Sequence, residues 1–155
     1  TRPSAKNKGD PTMPDILHRV GAEAPAQRVY QALTTIDGLR GWWVEETSGD
    51  PRVGGTINFG FCDMQVLESV PDRLVHWRCV RGPQEWVGTE VTFELTREKD
   101  GQTFVLFKHS GWKEPVAFMH HCSTKWATFL LSLRDLLEGS KARPYPHDVK
   151  IHVGD

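Results

Sequence analysis

The feature that most limits what this chain can fold into is a change of hydrophobic period. Ile57, Phe59 and Phe61 alternate with Thr56, Asn58 and Gly60. Val75, Trp77 and Cys79 alternate with His76 and Arg78, and Val91, Phe93 and Leu95 alternate with Thr92, Glu94 and Thr96. A period of two puts one face of a strand in the core and the other in water, the mark of an antiparallel sheet. Thr103–Ser110 is apolar on both faces, with Phe104 and Leu106 as well as Val105 and Phe107, so pattern alone does not orient it. After Gly111 the period becomes helical. Met119, Cys122, Trp126, Phe129, Leu130, Leu133 and Leu137 recur at spacings of three and four and predict one long helix over Val116–Glu138.

Turn signals separate the strands at Gly54-Gly55, Pro71-Asp72, Gly82-Pro83 and Asp100-Gly101. The last supports the positive φ of a tight hairpin. Gly139 is placed to end the long helix in a left-handed cap, with Lys141 and Arg143 complementing the helix dipole. Upstream, Ile16–Val20 reads as a short strand and Pro25 opens a helix running to Thr34. Ile36–Trp43 reads as a second short helix with Leu39, Trp42 and Trp43 on one face. A sheet with one apolar face must cover it, and the longest apolar stripe belongs to the last helix. The expected architecture is α+β: a curled antiparallel sheet of about six to seven strands around the C-terminal helix, with two short helices after the first strand. Residues 1–12 read as a disordered leader or an expression remnant ahead of a native Met13, residues 13–139 as the domain, and residues 140–155 as a tail without periodicity.

Charge narrows the function classes. Nineteen Lys and Arg against twenty Asp and Glu leave a formal net charge of -1, which argues against a nucleic-acid partner. No run reaches the roughly 18–20 apolar residues that membrane insertion by a helix needs. Thr1–Asp10 has no apolar core of a secretory signal. Cys62, Cys79 and Cys122 are odd in number and form no CxxC pair, so a reduced, cytoplasmic setting is expected. No P-loop, nucleophile elbow or dinucleotide glycine pattern is present, and no cofactor is expected.

Six tryptophans against two tyrosines stand out. Trp77 and Trp126 fall on the expected inner faces of a strand and of the long helix. Trp42 and Trp43 fall on the short helix at the expected mouth, Trp112 precedes the long helix, and Trp86 lies near a turn with no clear face. A single tryptophan is as readily core filler as a wall for a flat ligand. As a group, together with Phe59, Phe61, Phe93, Phe107, Phe118 and Cys122, they form a candidate pocket lining. His109 alternates with Val105 and Phe107 and is the candidate donor or general base, against the plainer reading of a histidine satisfied within the core. No catalytic residue is assigned. His120, His121 and Cys122 are adjacent on a helix and point ~100° apart, so no metal site is expected.

Several segments in order resemble a known family. They are Ala24–Thr34, Leu39–Trp43, Val53–Gly55, Gly88–Phe93, His109–Trp112 and Trp126–Leu133. The chain resembles a helix-grip (START-like, SRPBCC) domain and, within that superfamily, the homologues of the Hsp90 ATPase activator. The resemblance implies a cavity between sheet and long helix. The first expectation is therefore a protein that binds a hydrophobic or aromatic, lipid-like small molecule. The alternatives are a polyketide cyclase or hydrolase-like enzyme using the same cavity, and a co-chaperone-like interaction module. The eukaryotic activator resembles this domain only in its C-terminal half, a separate N-terminal domain supplying the main chaperone-binding surface. Chaperone interaction is accordingly held doubtful, and a homodimer is left open.

Overall fold

A computed structural model describes residues 14–155; the leader expected at residues 1–12 lies outside the described residues. In chain order the elements are β1 (Ile16–Ala22), α1 (Ala26–Thr34), α2 (Ile36–Trp42), β2 (Ser48–Gly49), β3 (Thr56–Asn58), β4 (Asp63–Val70), β5 (Leu74–Arg81), β6 (Glu90–Arg97), β7 (Thr103–Ser110) and α3 (Ala117–Leu137). The seven strands form one antiparallel sheet in the order β1-β7-β6-β5-β4-β3-β2. Strands β2 to β7 follow one another by turns. β1 closes against β7, setting Ile16 opposite His109 and Val20 opposite Val105.

Alternation sets the faces. Val75, Trp77 and Cys79 of β5, Val91, Phe93 and Leu95 of β6, and Val105, Phe107 and His109 of β7 are all buried. The undecided strand β7 thus turns its odd-numbered residues inward. Outside, Phe104 is half-buried because the Arg19 guanidinium lies 3.8 Å from its ring centroid. Register shifts in β4 between Asp63 and Met64 and between Val66 and Glu68 add the local twist that helps the sheet curl.

The helix α3 fills the hollow of that curl. Eight of its residues are buried, among them Trp126, Phe129, Leu130 and Leu133. Each large apolar side chain so covered stabilises the fold by about 1.5–3 kcal/mol relative to exposure. The helix ends in a Schellman cap: Ser140 N–H donates to Asp135 O (2.8 Å), Gly139 N–H to Leu136 O (3.4 Å), and Gly139 has φ +77°. Thr35 caps α2 by accepting from Gly38 N–H at 3.0 Å. Among the described residues no helix is long and apolar enough to cross a membrane.

Candidate functional site

The short helix α2 ends at Trp42, and the next residue, Trp43, sends its ring into the centre of the molecule. The two rings stack on each other at 5.9 Å and otherwise meet different neighbours. Trp42 donates its indole N–H to Ala32 O at 2.9 Å and meets Phe93 edge-on at 6.2 Å. Trp43 lies 4.2 Å from Phe59, 4.8 Å from Trp126 and 6.0 Å, stacked, from Trp77. Both rings are buried; Trp42 lies in the packed interior, not at a mouth as the sequence suggested, and Trp43 borders a half-open cleft.

His109 sits at the far side of this cluster and is fully buried. The Trp126 indole N–H donates to its Nδ1 at 3.1 Å, and its Nε2 lies 2.8 Å from Thr89 Oγ1. An indole N–H only donates, so Nδ1 accepts and Nε2 carries the proton. Nε2–H then donates to the Thr89 hydroxyl, which in turn donates a hydrogen bond to Trp86 O at 2.5 Å. Burial alone pulls the His109 pKa down to about 3. Both nitrogens are engaged, with no carboxylate or arginine among their partners. Such a side chain joins α3, β7 and the loop before β6, and offers no free lone pair for proton abstraction. Nearby, the buried Trp112 indole N–H has no hydrogen-bond partner.

What stays open is a half-open cleft of about 340 Å³ between α3, the segment after α2 and the chain beyond α3. Of the twelve residues expected to line a pocket, Trp43, Phe59, Phe61, Phe118, Cys122 and Trp126 border this cleft. The other six, Trp42, Trp77, Phe93, Phe107, His109 and Trp112, lie in the packed interior. Trp86 joins the lining: its ring stacks 6.0 Å from Trp126 and its indole N–H donates to Cys122 Sγ at 3.3 Å. Burial pushes the Cys122 thiol up to about 11, which makes it an apolar wall rather than a nucleophile. Phe61, about half exposed, stands at the rim.

The charged lip was missed from sequence. Lys125 points from α3 at Asp148, at Asp155 (2.8 Å) and at Val149 O (2.8 Å), which uses all three of its donors. Burial opposes its charge, but the two carboxylates outweigh that and raise its pKa. Asp155, bonded by Lys125, is lowered to about 2. Among the described residues no group of His, Cys, Asp and Glu could hold a metal ion. A second groove, about 520 Å³, lies on the outer face of the sheet over β1, β6 and β7, and is bordered by Arg19, Glu94 and Lys108 as well as Leu17 and Leu106.

Comparison with known proteins gives this geometry a family. The family model for Activator of Hsp90 ATPase homolog 1-like protein matches residues 23–138. The chain belongs to that family. Among solved structures it is similar to the Aha1 dimer from Colwellia psychrerythraea, with 46% identity over 84% of this chain and 100% of that one, at a TM-score of 0.76. CalU16 from Micromonospora echinospora is 23% identical over 83% of this chain and 76% of its own, at 0.71. A protein of Staphylococcus saprophyticus is 17% identical over 84% and 97%, at 0.70. The last two share the fold. No curated protein matches the chain.

These findings correct the doubt about a chaperone partner. That doubt rested on the want of a separate N-terminal domain. The Aha1 chain, however, is matched over its whole length by this one domain, so the Aha1 identity needs no second domain beside it.

Proposed function

We propose that this family member is a co-chaperone-like interaction module that works on an Hsp90-type chaperone ATPase, and that it does so as a homodimer. The observation that carries the reading is the 46% identity to an Aha1 chain that is matched from end to end. The interior supports it: ring-on-ring contacts such as Trp43 with Phe59 and Phe107 with Trp126 at 4.5 Å fill the space between sheet and helix. A domain packed in this way interacts mainly through its surface. A cytoplasmic setting fits the same reading, since Cys62, Cys79 and Cys122 are free and buried.

The test is the ATP hydrolysis rate of an Hsp90-type chaperone titrated with the protein. A saturable, severalfold stimulation is expected, together with dimer mass by sedimentation. A flat rate at saturating protein, with no binding by calorimetry, overturns the proposal.

One observation favours a second reading. The aromatic cleft, at about 340 Å³, falls within the roughly 300–1,000 Å³ usual for small-molecule sites, so it suits a hydrophobic or aromatic ligand. Native mass spectrometry of protein purified from its own host should then show a bound apolar molecule. A clean ligand-free mass, with tryptophan fluorescence unmoved across an aromatic and lipid library, removes this reading.

A further inference from the structure

We propose that Ser140–Asp155 is a displaceable strap that covers one side of the aromatic cleft, and that Lys125 is the latch holding it in place. The inference goes beyond the chaperone reading and does not depend on it.

The path of the segment makes it a cover. After the Gly139 cap it turns back along α3, where Arg143 N–H donates to the buried Ser132 Oγ at 2.8 Å. It then crosses to the other wall. Tyr145 forms a parallel bridge with Val44, its N–H donating to Trp43 O (2.7 Å) and its carbonyl accepting from Glu45 N–H (3.0 Å). Beyond that bridge Asp148 and Asp155 come down on Lys125 at the lip of the cleft.

The attachment is polar, which is why it can open. Within Ser140–Asp155 only Asp148 is buried, whereas Tyr145 is half exposed and Val153 fully so. Elements held by hydrogen bonds and ion pairs with little apolar burial come from the low-stability end of a fold and open without global unfolding. The match to the family ends at residue 138, just before the strap begins. The Lys125 ammonium gives all three of its hydrogen bonds to strap residues and none to the sheet or to another residue of α3.

Opening has a chemical consequence. It uncovers the floor formed by Trp43, Trp86 and Trp126 and leaves Lys125 without its carboxylates, its Nζ 5.5 Å from the Phe129 ring. An aromatic floor beside a freed ammonium takes a flat apolar molecule that carries an acidic group. In the closed state the carboxylates of Asp148 and Asp155 occupy the place of that group.

The probe is 8-anilinonaphthalene-1-sulfonate, which has both features, titrated into the full chain. The Asp148→Asn/Asp155→Asn double variant keeps the lysine and loses the latch. It should bind the probe about tenfold tighter, because apparent affinity scales with the fraction of open molecules. Trypsin should nick it faster at Lys141 and Lys150, with near-UV circular dichroism unchanged. Lys125→Met should speed nicking equally but gain less probe affinity, since it lacks the cation. Faster nicking with no gain in affinity shows that the strap covers nothing, and unchanged nicking shows that Lys125 is no latch; either result overturns the proposal. Hydrogen exchange on the unaltered protein gives a test that no variant can spoil. The Tyr145 amide should exchange roughly 100-fold faster than that of Val105 in β7. Exchange of both amides together, through global unfolding, overturns it as well.

Discussion

Two polar side chains, one within the aromatic interior and one at the lip of its cleft, settle their charge in opposite ways. His109 is enclosed by rings and a hydroxyl, with no countercharge, and burial strips it of its proton. Lys125 is partly enclosed, its side chain 13% exposed, and it stays charged because two carboxylates face it. Burial by itself does not decide whether a group is ionised; the partners that come with it do. The neutral node ties elements that stay together, and the charged node ties the sheet–helix body to a segment lying on it.

Acid should separate the two nodes most widely. The folded pKa of His109, about 3, lies below the ordinary value of 6.5, so the fold favours its neutral form. The stability it contributes is complete above pH 6.5 and falls as pH drops from 6.5 towards 3, by about 5 kcal/mol in all. Asp155 is also depressed, to about 2 from 3.8. Its contribution is complete above pH 3.8 and disappears only as pH falls through 2. Urea denaturation at pH 7, 5 and 4 should therefore show the core weakening while the latch is intact, and the His109 ring signals should not titrate above pH 4. A His109 that titrates near 6.5 breaks the comparison.

Trp43 stands between the nodes, with its ring in the core and its carbonyl accepting from the strap at Tyr145. Trp43→Ala should lower stability by about 3–5 kcal/mol by the ring loss alone, read from denaturant midpoints. Loss of less than 1 kcal/mol would mean that the rings around it can collapse. The smallest effect is expected at Lys125. Breaking a buried ion pair in a rigid core costs about 3–5 kcal/mol because the surviving charge is stranded. Here the strap can swing Asp148 and Asp155 into water, so Lys125→Met should lower global stability by no more than about 1 kcal/mol. A loss of several kcal/mol would place the strap within the core's cooperative unit.

Much of this frame was legible from residue order. β5 and β6 show in clean alternation, α3 in its apolar stripe, and the helix end in Gly139, whose φ of +77° is the left-handed cap expected of it, while β7, apolar on both faces in sequence, was oriented only by the structure. β4 escaped notice because Met64 and Val66 alternate for only two inward positions before the register shift at Val66 and Glu68. β2, two residues long, has no pattern to show. Asp100-Gly101 did mark the β6–β7 hairpin, though only Gly101 takes positive φ there.

The site was half legible, and the division has a physical cause. Trp126, Phe59 and Cys122 could be placed because a period assigns a side chain to a face. Trp86 could not, since no period runs through the Pro83–Gly88 turn; its ring is positioned by Cys122 and Trp126 from α3. Lys125 gave no local sign either, because its partners lie 23 to 30 residues further on in a segment without periodicity. Local sequence determined the elements and their buried faces, since hydrophobic spacing is a property of a few consecutive residues. Only the tertiary structure decided which rings meet, which cleft is left between them and what covers it, because those depend on side chains brought together from distant parts of the chain.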